Sequence, residues 1–198
     1  MSMSGIRVNN LIILLALLTL CSCGKKELEP KAYIAWVENE SNGLKISKKL
    51  GEYNFTLQYQ PSDYFNAKHG ISEEVKSEKD SMQYYTMRIF SEGKGDVLRY
   101  GVSDQEYQDR IQYFSYEVSK DITLIDGKDT LPCILYHFER SYDMAPFNTL
   151  VLGFEDRQSK QDKVFSFDDK VLGTGKINLI IQSEDIQRIP LLKHSNEK

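Results

Sequence analysis

Apolar and polar positions alternate most cleanly from Tyr53 to Gln60, where Tyr53, Phe55, Leu57 and Tyr59 share one side and Asn54, Thr56, Gln58 and Gln60 the other. A period of two marks a half-buried strand, and Pro61 ends it. The same reading predicts strands over Tyr33–Val37, Leu44–Lys48, Met82–Phe90, Val97–Val102, Ile111–Val118, Ile122–Ile125, Leu131–Phe138, Phe147–Phe154, Val164–Phe167 and Ile177–Ile181. Turn signals separate them at Asn42-Gly43, Gly93-Lys94-Gly95-Asp96, Asp126-Gly127 and Gly173/Gly175. Leu131–Phe138 is expected to pair back across Asp126-Gly127 as a central strand. Ser62–His69 fits one helical turn and Ser72–Lys79 is helix-compatible, while short helices are expected from Ser183 and from Ser103-Asp104-Gln105-Glu106, which has the spacing of a capping box. No long amphipathic helix separates the strands, which excludes alternating βαβ units. The expected fold is mainly β, with α+β as the neighbouring class: one antiparallel-sheet domain over residues 33–192, of sandwich type, with two or three short helices and a frayed tail over 193–198.

The chain opens in another manner. Residues 1–10 carry one cation, Arg7, and no acid, and the apolar run Leu11–Leu20 follows. A helix spanning a bilayer needs roughly 20 apolar residues, so this run fits the core of a secretory signal instead. It ends in Leu20-Cys21-Ser22-Cys23, then Gly24-Lys25-Lys26-Glu27. This resembles a bacterial lipobox, with an aliphatic residue at minus three, a small one at minus one, and then the cysteine that is lipidated. Cys23 fits that place, whereas Cys21 would have Leu20 at minus one. The resemblance implies that residues 1–22 are a lipoprotein signal peptide, cut between Ser22 and Cys23. It also implies a diacylglyceryl group on the Cys23 sulfur and a fatty acyl group such as palmitate on the new N-terminus. Each buried methylene contributes about 0.8 kcal/mol, so two or more chains hold a protein on a membrane where one does not. Residues 23–32 then form the lipidated cysteine and tether, and the stretch Gly24–Lys31 reaches at most roughly 28 Å.

Charge narrows the function classes. Lys and Arg total 25 against 29 Asp and Glu, a formal charge of −4 with a pI near 5.5. That balance argues against nucleic acid as a partner, because such binding draws on cationic surface and counterion release. Charged residues at 27% and aromatics at 11% exclude a disordered composition. Removal of the signal and lipidation of Cys23 leave Cys133 alone, so no intramolecular disulfide is expected. Its apolar run predicts a buried, reduced thiol. His137, on the same face four residues on, is the nearby group that could make it a nucleophile instead.

The remaining motifs carry no catalytic signature. Gly173-Thr174-Gly175-Lys176 resembles a piece of a phosphate loop, but Lys170 stands where the first glycine belongs and Ile177 where Ser or Thr would hold magnesium. It reads as a turn. His69, His137 and His194 have no metal-ligand spacing, and His137-Phe138-Glu139 has no Pro-Cys-x-x-Cys downstream. No metal, cofactor or catalytic residue is expected. Glu73-Glu74 and Asp168-Asp169 read as solvated surface. In strands, the adjacent aromatics Tyr84-Tyr85 and Tyr113-Phe114 would point to opposite faces, leaving one of each pair available for a contact.

Trp36-Val37, Asn42-Gly43-Leu44, Phe55-x-Leu57-Gln58-Tyr59-x-Pro61-x-x-Tyr64, Tyr136-His137-Phe138-Glu139 and Ile189-Pro190 resemble uncharacterised envelope lipoproteins of Bacteroidota. That family supplies no catalytic residues. The resemblance implies a cell-envelope, outer-membrane or periplasmic setting. Asp80-Ser81-Met82 and Asp129-Thr130-Leu131 match an Asp-Ser/Thr-apolar pattern resembling an O-glycosylation signal of such proteins, with Ser81 the more open of the two. The expected function is a membrane-anchored, non-enzymatic binding or structural component with a protein partner in the envelope. The alternatives are a ligand- or glycan-binding lipoprotein and a hydrolase whose site has no recognised motif.

Overall fold

In the computed structural model the described residues are 25–69, 81–91, 96–142 and 144–193. The helix-compatible stretch 72–79 and the turn at 93–95 lie outside them. Strand β1 is Glu27–Leu28, helix α1 Pro30–Glu38, β2 Lys45–Leu50, β3 Tyr53–Gln60, α2 Ser62–His69 and β4 Met82–Ser91. There follow α3 Asp104–Tyr116, β5 Ile122–Asp126, β6 Asp129–Pro132, β7 Leu135–Glu139 and β8 Phe147–Glu155. The chain closes with β9 Lys163–Asp168, β10 Lys176–Ile181, α4 Ser183–Gln187 and β11 Leu191–Leu192.

The strands make two antiparallel sheets, one in the order β2-β3-β4-β8-β7 and the other β10-β9-β5-β6. The fold is therefore mainly β and sandwich-like. Alternation explains the packing. Phe55, Leu57, Tyr85, Met87, Ile89, Leu150, Leu152 and Phe154 point inward from the first sheet, and Leu124, Phe165, Phe167, Ile177, Leu179 and Ile181 from the second. Aromatic rings bridge the sheets: Phe55 lies 6.5 Å from Phe167, and Phe154 6.5 Å from Phe165, centroid to centroid. Tyr84 and Tyr85 do take opposite faces, with Tyr85 fully buried.

Two expected strands are helices. Tyr33–Val37 belongs to α1, which starts with Pro30 in its first turn and buries Tyr33 and Val37 on one face. Five consecutive apolar residues do not distinguish a buried strand from a helix, and here the i, i+4 pair finds the core. Ile111–Val118 is mostly the second half of α3. The capping box at Ser103 forms as the spacing predicts: Glu106 N–H donates to Ser103 Oγ, and Ser103 N–H to Glu106 Oε2 at 2.9 Å. Once nucleated, the helix runs through Tyr116 because Tyr107, Ile111 and Phe114 form a stripe, with the Phe114 ring tilted against Phe138 and edge-on to Phe167. Tyr113 and Phe114 are accordingly both buried rather than split between two faces. Val97–Val102 is a turn, held where the Asp96 carboxylate accepts the Leu98 N–H at 3.0 Å.

Leu131–Phe138 is not one central strand. It is two edge strands in different sheets. Pro132 ends β6 opposite Thr123, and its lack of an N–H stops the ladder. Ile134 N–H then donates to Gly153 O at 2.9 Å, carrying the chain onto β8. A Cβ on Gly153 would stand 2.9 Å from Leu135 Cβ, so glycine permits this crossing.

The hairpin expected at Asp126-Gly127 forms one residue later. Asp126 pairs with Asp129 around Gly127-Lys128, with Gly127 at φ 65. Residues 27–31, expected in the tether, form β1 and the start of α1. Parallel pairing of β1 with β11 has no counterpart in the sequence pattern.

Candidate functional site

One end of the sandwich carries a cleft of about 390 Å³. Its walls come from the end of β3 (Tyr59, Gln60), the start of α2 (Ser62), the start of β4 (Met82, Gln83), the β8–β9 loop (Asp156, Gln158, Ser159), Lys163 and Ile186 of α4. The lining is mostly hydroxyl, amide and carboxyl, with the Tyr59 ring as its aromatic surface.

A buried ion pair fixes this wall. Ile122, Leu124 and Asp126 alternate inward on β5, as do Lys163, Phe165 and Phe167 on β9. Asp126 and Lys163 are register partners on the last inward rung. Lys163 Nζ lies 2.6 Å from Asp126 Oδ2, with side chains 5% and 0% exposed. The carboxylate also accepts from Ser159 Oγ and, at 3.3 Å, from Gln83 Nε2. Gln83 Nε2 donates to Glu155 O at 3.0 Å as well, and Tyr85 OH donates to Gln83 Oε1 at 2.8 Å. Lys163 spends its other protons on Ser159 O and Oγ, both at 3.3 Å. Burial opposes a charged Asp126, but hydrogen bonds from Lys163 and Ser159, and the Lys163 charge, hold it below the usual carboxylate range. Burial, with Asp156 and Asp126 nearby, pushes the Tyr59 phenol far above its ordinary value, so it stays a neutral donor.

This arrangement does not activate Ser159. Ser159 and Lys163 have the proximity of a nucleophile and its base, but an ammonium locked on Asp126 has no lone pair to receive a proton. Asp126, held ionised, is a weak base. The groups facing the cleft are donors and acceptors in fixed places.

Two further polar clusters serve the fold. Asp96 accepts from Tyr107 OH at 2.8 Å and Asn148 Nδ2 at 2.9 Å, with Arg140 Nε 3.8 Å away, tying α3 to β8 at the opposite end. Asp169 accepts from the Val171, Leu172 and Thr174 N–H groups and from Thr174 Oγ1. The Gly173-Thr174-Gly175-Lys176 segment is thus the β9–β10 turn, with the Thr174 N–H spent on Asp169. Asp168 pairs with Lys170.

Ser22, Cys23, Cys21, Glu73-Glu74 and His194 lie outside the described residues, as does the His69 side chain. Ser81 is exposed just before β4, and its carbonyl accepts from the Asp156 N–H at 2.8 Å. Thr130, expected to have less room, is also exposed, because β6 is an edge strand. Cys133 is half-buried rather than buried, since it sits in the crossing between sheets. Its thiol donates to Leu135 O at 3.1 Å, and burial pushes it up to about 11, the reverse of an activated thiolate. His137 stands exposed between the inward-facing Tyr136 and Phe138. Asp126, Lys163, Gln83 and Ser159 were not singled out in the sequence. The available signal was a charge at the end of an inward row, Ile-x-Leu-x-Asp and Lys-x-Phe-x-Phe.

Among the described residues no group of three or more His, Cys, Asp or Glu could hold a metal ion, and no helix is long and apolar enough to cross a membrane. No protein-family model and no curated protein matches the chain. A crystal structure of a DUF4426 family protein from Pseudomonas aeruginosa PAO1 is similar at 10% identity and a TM-score of 0.36, over 69% of this chain and 90% of that one.

Proposed function

We propose that this protein is a lipid-anchored envelope protein, held through Cys23, whose sandwich binds a small hydroxyl-rich ligand such as a short glycan without transforming it. The observation that carries the binding role is the cleft, where amides, hydroxyls and one carboxylate converge beside the Tyr59 ring over a wall set by Asp126 and Lys163. Sites for small molecules are concave and place a few polar groups against a largely fixed wall. Because Lys163 is already neutralised by Asp126, the lining offers no free cation for an anionic ligand among the described residues, and Asp156 and Gln158 suit hydroxyl or amide partners. Saturation-transfer NMR with glucose, galactose and N-acetylglucosamine oligomers tests this. Transfer to at least one sugar, lost in Tyr59→Ala and Gln158→Ala, is the expected result. No transfer from any of them overturns the glycan reading.

A protein partner in the envelope is the second reading. It is favoured by the β7–β8 loop at the other end, where Tyr142 is 66% and Met144 86% exposed, with Arg140 stacked on the Tyr142 ring. Crosslinking from position 144 in native envelopes distinguishes it, because a specific adduct there does not depend on Tyr59.

A further inference from the structure

The short strands β1 and β11 clip the two ends of the described chain together. Leu191 N–H donates to Lys26 O at 2.9 Å, Lys193 N–H to Leu28 O at 2.8 Å, and Lys193 Nζ pairs with Glu29 at 2.6 Å. Leu28 and Leu192 pack against the core. The chain is therefore fastened to the domain by Glu27. Only Gly24, Lys25 and Lys26 separate Glu27 from Cys23, and at about 3.6 Å per residue those four steps span no more than roughly 14 Å.

The clip lies at the cleft end of the sandwich. Ile186, in the cleft wall, precedes β11 by one short segment, and α1, which begins directly after β1, brings Tyr33 within electrostatic reach of Tyr59. Gly43, just past α1, has the Asp185 carboxylate of α4 where a Cβ would be. The opposite end is far off: β3 runs from Tyr53 to Gln60 between the two ends, eight residues at about 3.3 Å each, roughly 25 Å. The β7–β8 loop with Tyr142 and Met144 belongs to that far end, since Phe147 pairs with Phe90 and Glu155 with Met82. A domain about 25 Å long on a leash of about 14 Å cannot turn end over end above a bilayer.

We infer that the end carrying the β1–β11 clip and the cleft is the surface that faces the lipid bilayer, with the β7–β8 loop directed away from it. This rests on the lipid-anchoring half of the proposed function and not on the identity of the ligand. Exposed Lys25, Lys26 and Lys31 stand at this end, where lipid phosphates would meet them. The cleft then opens near the headgroup layer, so what it receives is presented at the membrane surface, and the far loop is the part free to meet a protein.

The test uses the full lipidated protein in phosphatidylethanolamine–phosphatidylglycerol vesicles containing a lipid with a nitroxide on its headgroup, a short-range quencher. Single fluorophores are placed at Lys160→Cys, in the loop lining the cleft, and at Met144→Cys, each in a Cys133→Ala background, or Cys133→Ser should the first not fold. Among protein that floats with the vesicles, the label at 160 is expected to lose most of its emission and the label at 144 to keep it. Six Gly-Ser residues inserted between Gly24 and Lys25 should abolish the difference. Equal quenching at the two positions with the natural tether, or stronger quenching at 144, overturns the orientation while leaving the anchor intact. Failure of the wild-type protein to float overturns the anchor and this inference with it.

Discussion

Asp126 and Lys163 face each other across β5 and β9 on the last inward-pointing rung of the four-stranded sheet, 2.6 Å apart and shut away from solvent. Their partners Gln83, Ser159 and, through Gln83, Tyr85 come from the other sheet and from the β8–β9 loop. The pair therefore joins the two layers at the floor of the cleft.

Breaking it from one side should cost more than removing it whole. Lys163→Met leaves a buried carboxylate without its cation, an expected loss of about 3–5 kcal/mol. Asp126→Leu combined with Lys163→Met should recover most of that loss. Urea unfolding of the two singles and the double gives the coupling energy, and additive losses would contradict the pairing.

The pair also sets the acid limb of stability. The folded-state value of Asp126 lies below its unfolded value, which is about 3.9. Its contribution is complete above that unfolded value and disappears as pH falls through the lower folded one. Asp126→Asn should lower stability at neutral pH and flatten the slope below about pH 4, measured by urea midpoints across the acid range.

The thiol of Cys133 should behave as a poor nucleophile. With its value pushed up to about 11, iodoacetamide should label the folded protein slowly near neutrality, and the rate should rise with pH through that region. Fast labelling at neutral pH would show an activating group that the geometry does not supply.

Two glycines with positive φ should differ in cost. Gly51, at φ 59 with open space around it, should lose about 1 kcal/mol on change to Ala. Gly43→Ala must also push the Asp185 carboxylate aside, since its Cβ would lie 1.9 Å from Asp185 Oδ2. It should cost more, and Asp185→Ala in the same chain should relieve the excess. Thermal melts of the three variants decide it.

Lipidation is expected at Cys23 and not at Cys21. Cys23→Ser should leave the precursor uncut and remove incorporated fatty-acid label, whereas Cys21→Ser should do neither. The reverse result would move the anchor and lengthen the leash above the bilayer.

By itself the sequence determined the periods, and through them the faces. Tyr53 to Gln60, Met82 to Phe90 and Ile177 to Ile181 show their buried sides because strand side chains alternate whatever the strand pairs with. The capping box at Ser103 was likewise legible, because a cap is made within four residues. Tertiary structure decided what local chemistry leaves open. Tyr33 to Val37 is too short a run to separate a period of two from one of 3.6, and burial of Tyr33 and Val37 on one stripe chose the helix. Pro132 signals a break, but only the Gly153 carbonyl waiting on β8 sent the next residues into the other sheet. The meeting of Asp126 with Lys163, and of Glu27–Leu28 with Leu191–Leu192, depends on the closing of long loops, whose entropy is repaid by non-local burial that no short window of residues contains.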